Sequence, residues 1–303
     1  MKRLIPYLRL MRPANIVTAM ADVLAGFAIS GSVVISLFPD VYTFGIQNSY
    51  NLLWLLFSTA GLYGGGVVFN DVFDVELDKK ERPERPIPSG SATLGLAILL
   101  GSLLFIIGIF SAFMASDTSG LIACAITILA LFYDRLGKHH PLFGPVNMGA
   151  CRGLNLLLGV SAVPERIEDF WYFALVPIVF IAAITMISRG EVHGGNKTVL
   201  MSAVFLYFLV IVSVIVLNFT LGFTAFYSIP FLILFGYMVY PPLYKAIKEP
   251  QPKLIMNTVK AGVISLIAMD AAIAAGFAGW IFGLMILLLL PLSRYLSKLF
   301  AVT

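Results

Sequence analysis

The sequence predicts an all-α fold, a polytopic transmembrane helical bundle of about nine to ten spans around a central cavity open to the cytoplasmic side and the bilayer. Three observations predict it. Of the 303 residues, 59% are hydrophobic and 12% are charged. Mean hydropathy is +0.94, whereas about a quarter of the residues of a soluble domain carry charge. The apolar stretches are continuous, not alternating, which disfavours a membrane barrel. The basic residues are also one-sided. With the N-terminus placed inside, all but Arg152 and Arg166 of the 20 fall at inside segments, as the positive-inside rule requires.

The elements follow in order. Residues 1–13 carry Lys2, Arg3, Arg9 and Arg12 and run straight into a long apolar stretch, so no cleavable signal is expected. Arg12-Pro13-Ala14-Asn15 opens the first span, and Asn15 suits an N-cap. Spans are expected at roughly 14–38, 51–73, 92–115, 119–136, 143–163, 170–188, 199–218, 222–244, 256–278 and 279–299. Gly276 and Gly279 mark a break within the last pair, and Gly64-Gly65-Gly66 suggests close helix packing in the second. Residues 164–169, with Glu165, Glu168 and Asp169, read as a solvated outside loop. Cys124 and Cys151 lie in separate apolar stretches and imply neither a disulfide framework nor zinc. The +4 net charge is explained by topology and requires no nucleic acid. A bacterial inner (plasma) membrane location is expected, with the N-terminus and site loops cytoplasmic.

The second span ends on Asn70-Asp71-Val72-Phe73-Asp74-Val75-Glu76-Leu77-Asp78. On a helix Asn70, Asp74 and Asp78 recur every fourth position, and Asp71 joins them three before Asp74. Three carboxylates and an amide on one face repel unless a cation lies between them. Oxygen-only ligands suit Mg²⁺ before Zn²⁺. The following loop, Lys79 to Gly90, is cationic and stiffened by Pro83, Pro86 and Pro88. A metal clamp beside arginines at a membrane surface suits a diphosphate with a greasy tail. A plain solvated loop would not need an amide and acids in register.

Other polar groups lie at the same depth. The sixth span ends on Arg189-Gly190-Glu191-Val192-His193-Gly194-Gly195-Asn196-Lys197, four spans later, which hints at an internal repeat. Tyr133-Asp134-Arg135-Leu136-Gly137-Lys138-His139-His140 ends the fourth, where Lys138 or Arg135 suits a phosphate and adjacent histidines lack metal spacing. Arg152 lies about nine residues, roughly 13 Å, inside the fifth span, with Asn155 on its face. A buried arginine at that depth marks a site or an internal ion pair. Asp22 and Asp270 are intramembrane acids, either of them a partner for Arg152.

These residues together resemble the UbiA superfamily of intramembrane prenyltransferases. Asn70-Asp71-x-x-Asp74-x-x-x-Asp78 followed by Arg85-Pro86-Ile87-Pro88-Ser89-Gly90 looks like that family's first motif, and Arg12-Pro13 also fits. Ser188 to Gly195 and Cys151-Arg152-Gly153-Leu154-Asn155 look most like the EboC-type branch, found with bacterial secondary-metabolite gene clusters. The resemblance implies one domain over residues 1–303. It also implies Mg²⁺, a prenyl diphosphate donor and an aromatic or other lipophilic acceptor. Carried over by position, Asn70, Asp74 and Asp78 would hold Mg²⁺, with Asp71 beside them among the catalytic acids. Substrate would meet Asn70, Arg85, Lys138, Arg152, Asn155, Arg189 and Glu191. Two departures stand out. Glu191 is the lone acid where a second aspartate motif is usual, with Gly194 and Gly195 near the expected aspartates. Lys138 follows Tyr133 one position later than in the family's tyrosine–lysine pattern.

The expected chemistry is Mg²⁺-assisted departure of diphosphate, with Arg85, Lys138 and Arg189 stabilising the leaving group. An allylic cation would form in a dry cavity. Glu191 and His193 are the candidates for a base. The alternative is a UbiA-like protein that binds or translocates a lipid-linked or secondary-metabolite precursor without transfer.

Overall fold

The computed structural model describes residues 4–38, 41–46, 48–138, 140–192, 194–220 and 223–300; His139 and His193 lie outside them. Among the described residues, seven helical stretches are long and apolar enough to cross a membrane: Ser49–Phe73, Leu94–Ala115, Asp117–Gly137, Arg166–Ser188, Lys197–Phe219, Phe226–Lys248 and Pro252–Phe300. The protein is thus a multi-pass helical membrane protein.

Helix α1 (Ile5–Met11) turns at Arg12 into α2 (Pro13–Ile29). The expected span over 14–38 is shorter than the sequence suggested. Ser30 donates its hydroxyl to the Phe27 carbonyl at 2.8 Å, and Gly31 takes φ 78°, which ends the helix. The β-branched run beyond it, apolar enough to extend a span on paper, forms strand β1 (Val33–Phe38) instead. It pairs antiparallel with β2 (Val41–Ile46), Val33 opposite Ile46 and Phe38 opposite Val41.

Helix α3 (Ser49–Phe73) carries the acidic motif at its end and continues, after a kink at Asp74, as the short α4 (Val75–Glu81). The ladder survives the kink, since Asp74 N–H bonds Asn70 and Asp78 N–H bonds Asp74. Helices α5 (Leu94–Ala115) and α6 (Asp117–Phe132) follow, and α5 packs along α3. Next come α7 (Phe143–Val160), the short α8 (Arg166–Phe170) and α9 (Leu175–Ser188), with α7 lying between α2 and α9. The set closes with α10 (Lys197–Thr220), α11 (Ile229–Lys248), α12 (Pro252–Leu287) and α13 (Leu289–Phe300). The expected break falls at Gly279, with φ 80° inside α12. The chain folds back there, so that Gly283 faces Ala271 and Ala275. Ser293 on α13 then donates to the Ala14 carbonyl at 3.1 Å, joining the last helix to α2.

Two glycines set the tightest crossing. A Cβ on Gly26 would stand 2.0 Å from the Leu156 carbonyl oxygen, and one on Gly159 would stand 2.2 Å from that of Val23. Small residues let α2 and α7 touch backbone to backbone. That contact brings Asp22 to Arg152. Of the three-glycine run in α3, Gly65 makes the close contact, against Phe105 and the Gly101 carbonyl.

Candidate active site

A cavity of about 550 Å³ opens at the motif end of the bundle. Its polar mouth carries Asn70, Asp74, Asp78, Arg82, Arg85, Asp134, Lys138 and Glu191. Its deeper wall is mainly apolar, with Leu62, Ile126, Ile181, Val263 and Leu266. Twelve positions separate Asp74 from Leu62, about 18 Å along a helix. The arrangement is a charged rim over a greasy shaft.

Each motif acid meets a cation. Lys138 reaches the Asp74 carboxylate in a short contact. Arg85 donates to Asp78 at 2.7 Å and to Asp71 at 3.3 Å. Arg12 donates to Asp71 at 2.6 Å. Burial pushes the Asp78 carboxyl above its ordinary range; the Arg85 bond pulls against it, and Asp71 and Asp74 push further up. Asn70, Asp74 and Asp78 line the cavity, as their four-residue spacing predicts. Asp71 does not share that face. One residue past Asn70 turns it about 100° around the helix, so it lies behind the rim, 5% exposed, holding Arg12 and Arg85. Arg12 makes this reach from a left-handed backbone, φ 48°, a conformation uncommon outside glycine.

The misplaced lysine has a structural explanation. The end of α6 widens into a π-helical turn over Tyr133–Gly137, closed by the Lys138 N–H on the Tyr133 carbonyl at 2.9 Å. A π-turn absorbs one extra residue, which is the shift seen in the sequence, and the ammonium still arrives at Asp74. The same turn buries Asp134, which accepts from Asn70 Nδ2 at 2.8 Å. The sequence reading did not single out Asp134. Its place beside Asn70 depends on the turn, and spacing alone gives no signal for it.

The sixth-span end differs more. Arg189 does not line the cavity; its guanidinium donates to the backbone carbonyls of His140 at 2.6 Å and Lys138 at 3.3 Å. It braces the loop after the π-turn. Glu191 does line the cavity, 3.3 Å from Arg82. Burial raises the Glu191 carboxyl above its ordinary range, against the pull of Arg82, Lys260 and Arg12.

Deeper, Arg152 and Asn155 line the cavity and also close a buried network. Arg152 Nε lies 3.0 Å from Asp22, and its Nη2 donates to Thr18 at 3.2 Å. The guanidinium also sits 5.3 Å over the Tyr63 ring. Asn155 donates to Asp22 at 2.8 Å and accepts from Thr59 at 2.7 Å. Of the two intramembrane acids, Asp22 is therefore the partner of Arg152, and the fully buried Asp270 stands beside Asp22. Removing one member of such a pair leaves a buried charge, which costs about 3–5 kcal/mol. Arg152→Leu is expected to lower the unfolding temperature in detergent sharply, and Asp22→Asn added to it to recover much of the loss. Equal melting of Arg152→Leu and the parent would refute the pairing.

With this geometry in place, sequence similarity identifies the lineage. The profile of the UbiA prenyltransferase family matches residues 19–199, more than half of the chain. The chain belongs to the UbiA prenyltransferase family. Among curated UbiA-family relatives, a digeranylgeranylglyceryl phosphate synthase of Methanosarcina barkeri is 32% identical over 155 residues, 51% of this chain. The matched segment spans about half of that relative, 54% of its length. Solved structures agree on the fold. One, described as a digeranylgeranylglyceryl phosphate synthase in membranes, superposes with a TM-score of 0.65 at 22% identity, covering 92% of this chain and 99% of its own. A UbiA homologue from Archaeoglobus fulgidus bound to GPP and Mg²⁺ superposes at 0.63 with 17% identity, over 91% of this chain and 99% of that one.

Asn70, Asp74 and Asp78 pass a chemical test for a hard divalent ion. All three donors are oxygens on the cavity wall. No group of three His, Cys, Asp or Glu among the described residues stands ready as a metal cage. Magnesium is usually held by one or two carboxylates together with substrate phosphates, so a partial set suffices. Lys138 and Arg85 now balance these carboxylates and are long enough to move onto phosphate oxygens.

Proposed function

We propose that this chain is a Mg²⁺-dependent intramembrane prenyltransferase, a single domain over residues 1–303, which moves a prenyl group from a prenyl diphosphate to a lipophilic acceptor. The observation that carries the reading is the register of Asn70, Asp74 and Asp78, with Lys138 and Arg85, at the mouth of a cavity whose interior is apolar. Bound at Asn70, Asp74 and Asp78, Mg²⁺ would supply Lewis-acid neutralisation of the diphosphate. The residues do the rest. Arg85 and Lys138 exchange carboxylate oxygens for phosphate oxygens and stabilise the charge that develops on the leaving group. Asp71, anchored by Arg12, keeps Arg85 aimed at the rim. The apolar shaft takes the prenyl chain and excludes water from the allylic carbon. Glu191, on the cavity wall, takes the acceptor's proton, and Arg82 holds it in position.

The relatives named digeranylgeranylglyceryl phosphate synthase point to a polar-headed, greasy acceptor. The EboC-type resemblance of Ser188 to Gly195 and Cys151 to Asn155 points to a secondary-metabolite acceptor instead. The deciding experiment incubates the purified protein with Mg²⁺, prenyl diphosphates of increasing length and candidate acceptors, and measures diphosphate release. Turnover with any acceptor supports transfer. Tight, Mg²⁺-dependent binding without release from the full panel would favour the binding or translocating alternative. The short loop of Gly194 and Gly195, which offers no second set of acids, is the observation behind that alternative.

The site loops are proposed to face the cytoplasm, because the basic residues cluster there. In a background with Cys124 and Cys151 replaced by serine, single cysteines at Glu84 and Lys197 are expected to react with impermeant maleimide only from the cytoplasm. One at Glu168 is expected to react only from outside. Labelling of Glu84 and Lys197 variants from opposite sides would dismantle the single-mouth arrangement.

A further inference from the structure

On the Glu191 side of the cavity, the two glycines near the expected aspartates are crowded by their surroundings. Gly194 has φ 92°, and a Cβ there would meet the Pro250 carbonyl oxygen at 2.9 Å. Gly195 donates its N–H to that same carbonyl at 3.0 Å. A Cβ on Gly195 would stand 2.5 Å from the Ile255 side chain. An acidic side chain at Gly194 would be strained by its backbone conformation and pressed against the Pro250 carbonyl, and one at Gly195 would have to displace the Ile255 side chain. Residues at this wall therefore do not suit a second divalent ion, for which Glu191 alone, already paired with Arg82, is too little.

A different positive charge stands there. Lys260 lines the cavity from α12, eight residues beyond Pro252 and so about 12 Å up the helix. Its lining neighbours on that helix, Met256, Val259, Val263 and Ile264, are apolar. Among the described residues no carboxylate forms a salt bridge with it, although its charge is felt at Glu191. An ammonium that lines a cavity without an ion-pair partner suits an anionic ligand. Arg82 is paired with Glu191 and Arg12 with Asp71, so among the described residues Lys260 is the positive charge left over on this side of the cavity. The surplus is available to an anion.

We propose that Lys260, together with Arg82, forms an anion subsite that takes the part of a second metal ion. The diphosphate is then held between one divalent ion on Asn70, Asp74 and Asp78 and a fixed ammonium on α12. This inference rests on the diphosphate reading above and adds a stoichiometry and a residue to it.

Geranyl diphosphate, with Mn²⁺ in place of Mg²⁺, serves as the probe. Binding is followed by calorimetry, and bound Mn²⁺ is counted by electron paramagnetic resonance. One uncoupled Mn²⁺ per bound diphosphate is expected. Lys260→Ala and Lys260→Met are each expected to weaken binding about tenfold or more, as loss of a charge-assisted contact does. Both should melt at the parent temperature without ligand, and Lys260→Arg should keep most of the affinity. A spin-coupled Mn²⁺ pair in the parent overturns the lysine subsite while leaving the prenyltransferase reading in place. So does parental affinity in both neutral variants. Absence of any metal-dependent binding by the parent overturns both readings.

Discussion

Asp74→Ala is expected to lower Mg²⁺-dependent affinity for a prenyl diphosphate by about 100-fold or more, with the protein still folded. Asp74 sits at the kink between α3 and α4, where its carboxylate faces the cavity and Lys138. Truncation removes one of the few anionic ligands available to a divalent ion, and loss of such ligands weakens metal binding steeply. It also leaves the Lys138 ammonium without its counter-charge. Asp78→Ala is expected to behave similarly and to release Arg85 from one of its two anchors. Glu191→Gln should cost far less than Asp74→Asn, because Glu191 faces Arg82 across the cavity from the clamp. Calorimetric titration at fixed Mg²⁺, with a thermal melt of each variant, provides the check. Undiminished metal-dependent binding in Asp74→Ala or Asp78→Ala would end the clamp hypothesis, as would equal losses from the Glu191 and Asp74 changes.

Gly159→Val is expected to be the most damaging single change for folding. A Cβ at that position would lie 2.2 Å from the Val23 carbonyl oxygen, far inside contact distance, and backbone cannot swing aside as a side chain can. Overpacking of this kind typically costs about 1–3 kcal/mol and more where the backbone must shift. Here α2 and α7 must separate, which stretches the Arg152–Asp22 pair set by their contact. Little monodisperse protein should survive detergent extraction. Gly95→Ala, with nothing within 4 Å of its new Cβ, is the matched control and should extract like the parent. Normal yield and melting of Gly159→Val would refute the close crossing.

The residues that sequence reading located are those whose placement is written in local spacing. Asn70, Asp74 and Asp78 share a face because four residues make about one helical turn, and the kink at Asp74 preserves that ladder. Arg152 announced itself by its cost in an apolar span. What escaped depends on geometry between elements. Asp134 joins Asn70 only because a π-turn rotates the end of α6. Lys260 read as a topology-setting charge, since nothing local shows that its face of α12 borders the cavity. Arg189 was expected at the phosphates from its neighbours in sequence, yet two backbone carbonyls in the next loop claim it. Hydropathy extends the first span past Ile29 because it does not separate a β-branched strand from a helix.

The bond from Ser293 to Ala14 joins helices separated by 279 positions. Ser297, one turn further along α13, reaches the cavity wall beside residues contributed by the start of α2. During synthesis the chain emerges at about 5–20 residues per second, so the opening helices wait many seconds for their closing neighbour. Until then one flank of the shaft faces lipid, and Arg152 and Asp22 are shielded by each other rather than by a finished wall. Insertion of the early spans and sealing of the cavity are therefore separate events in the life of each molecule.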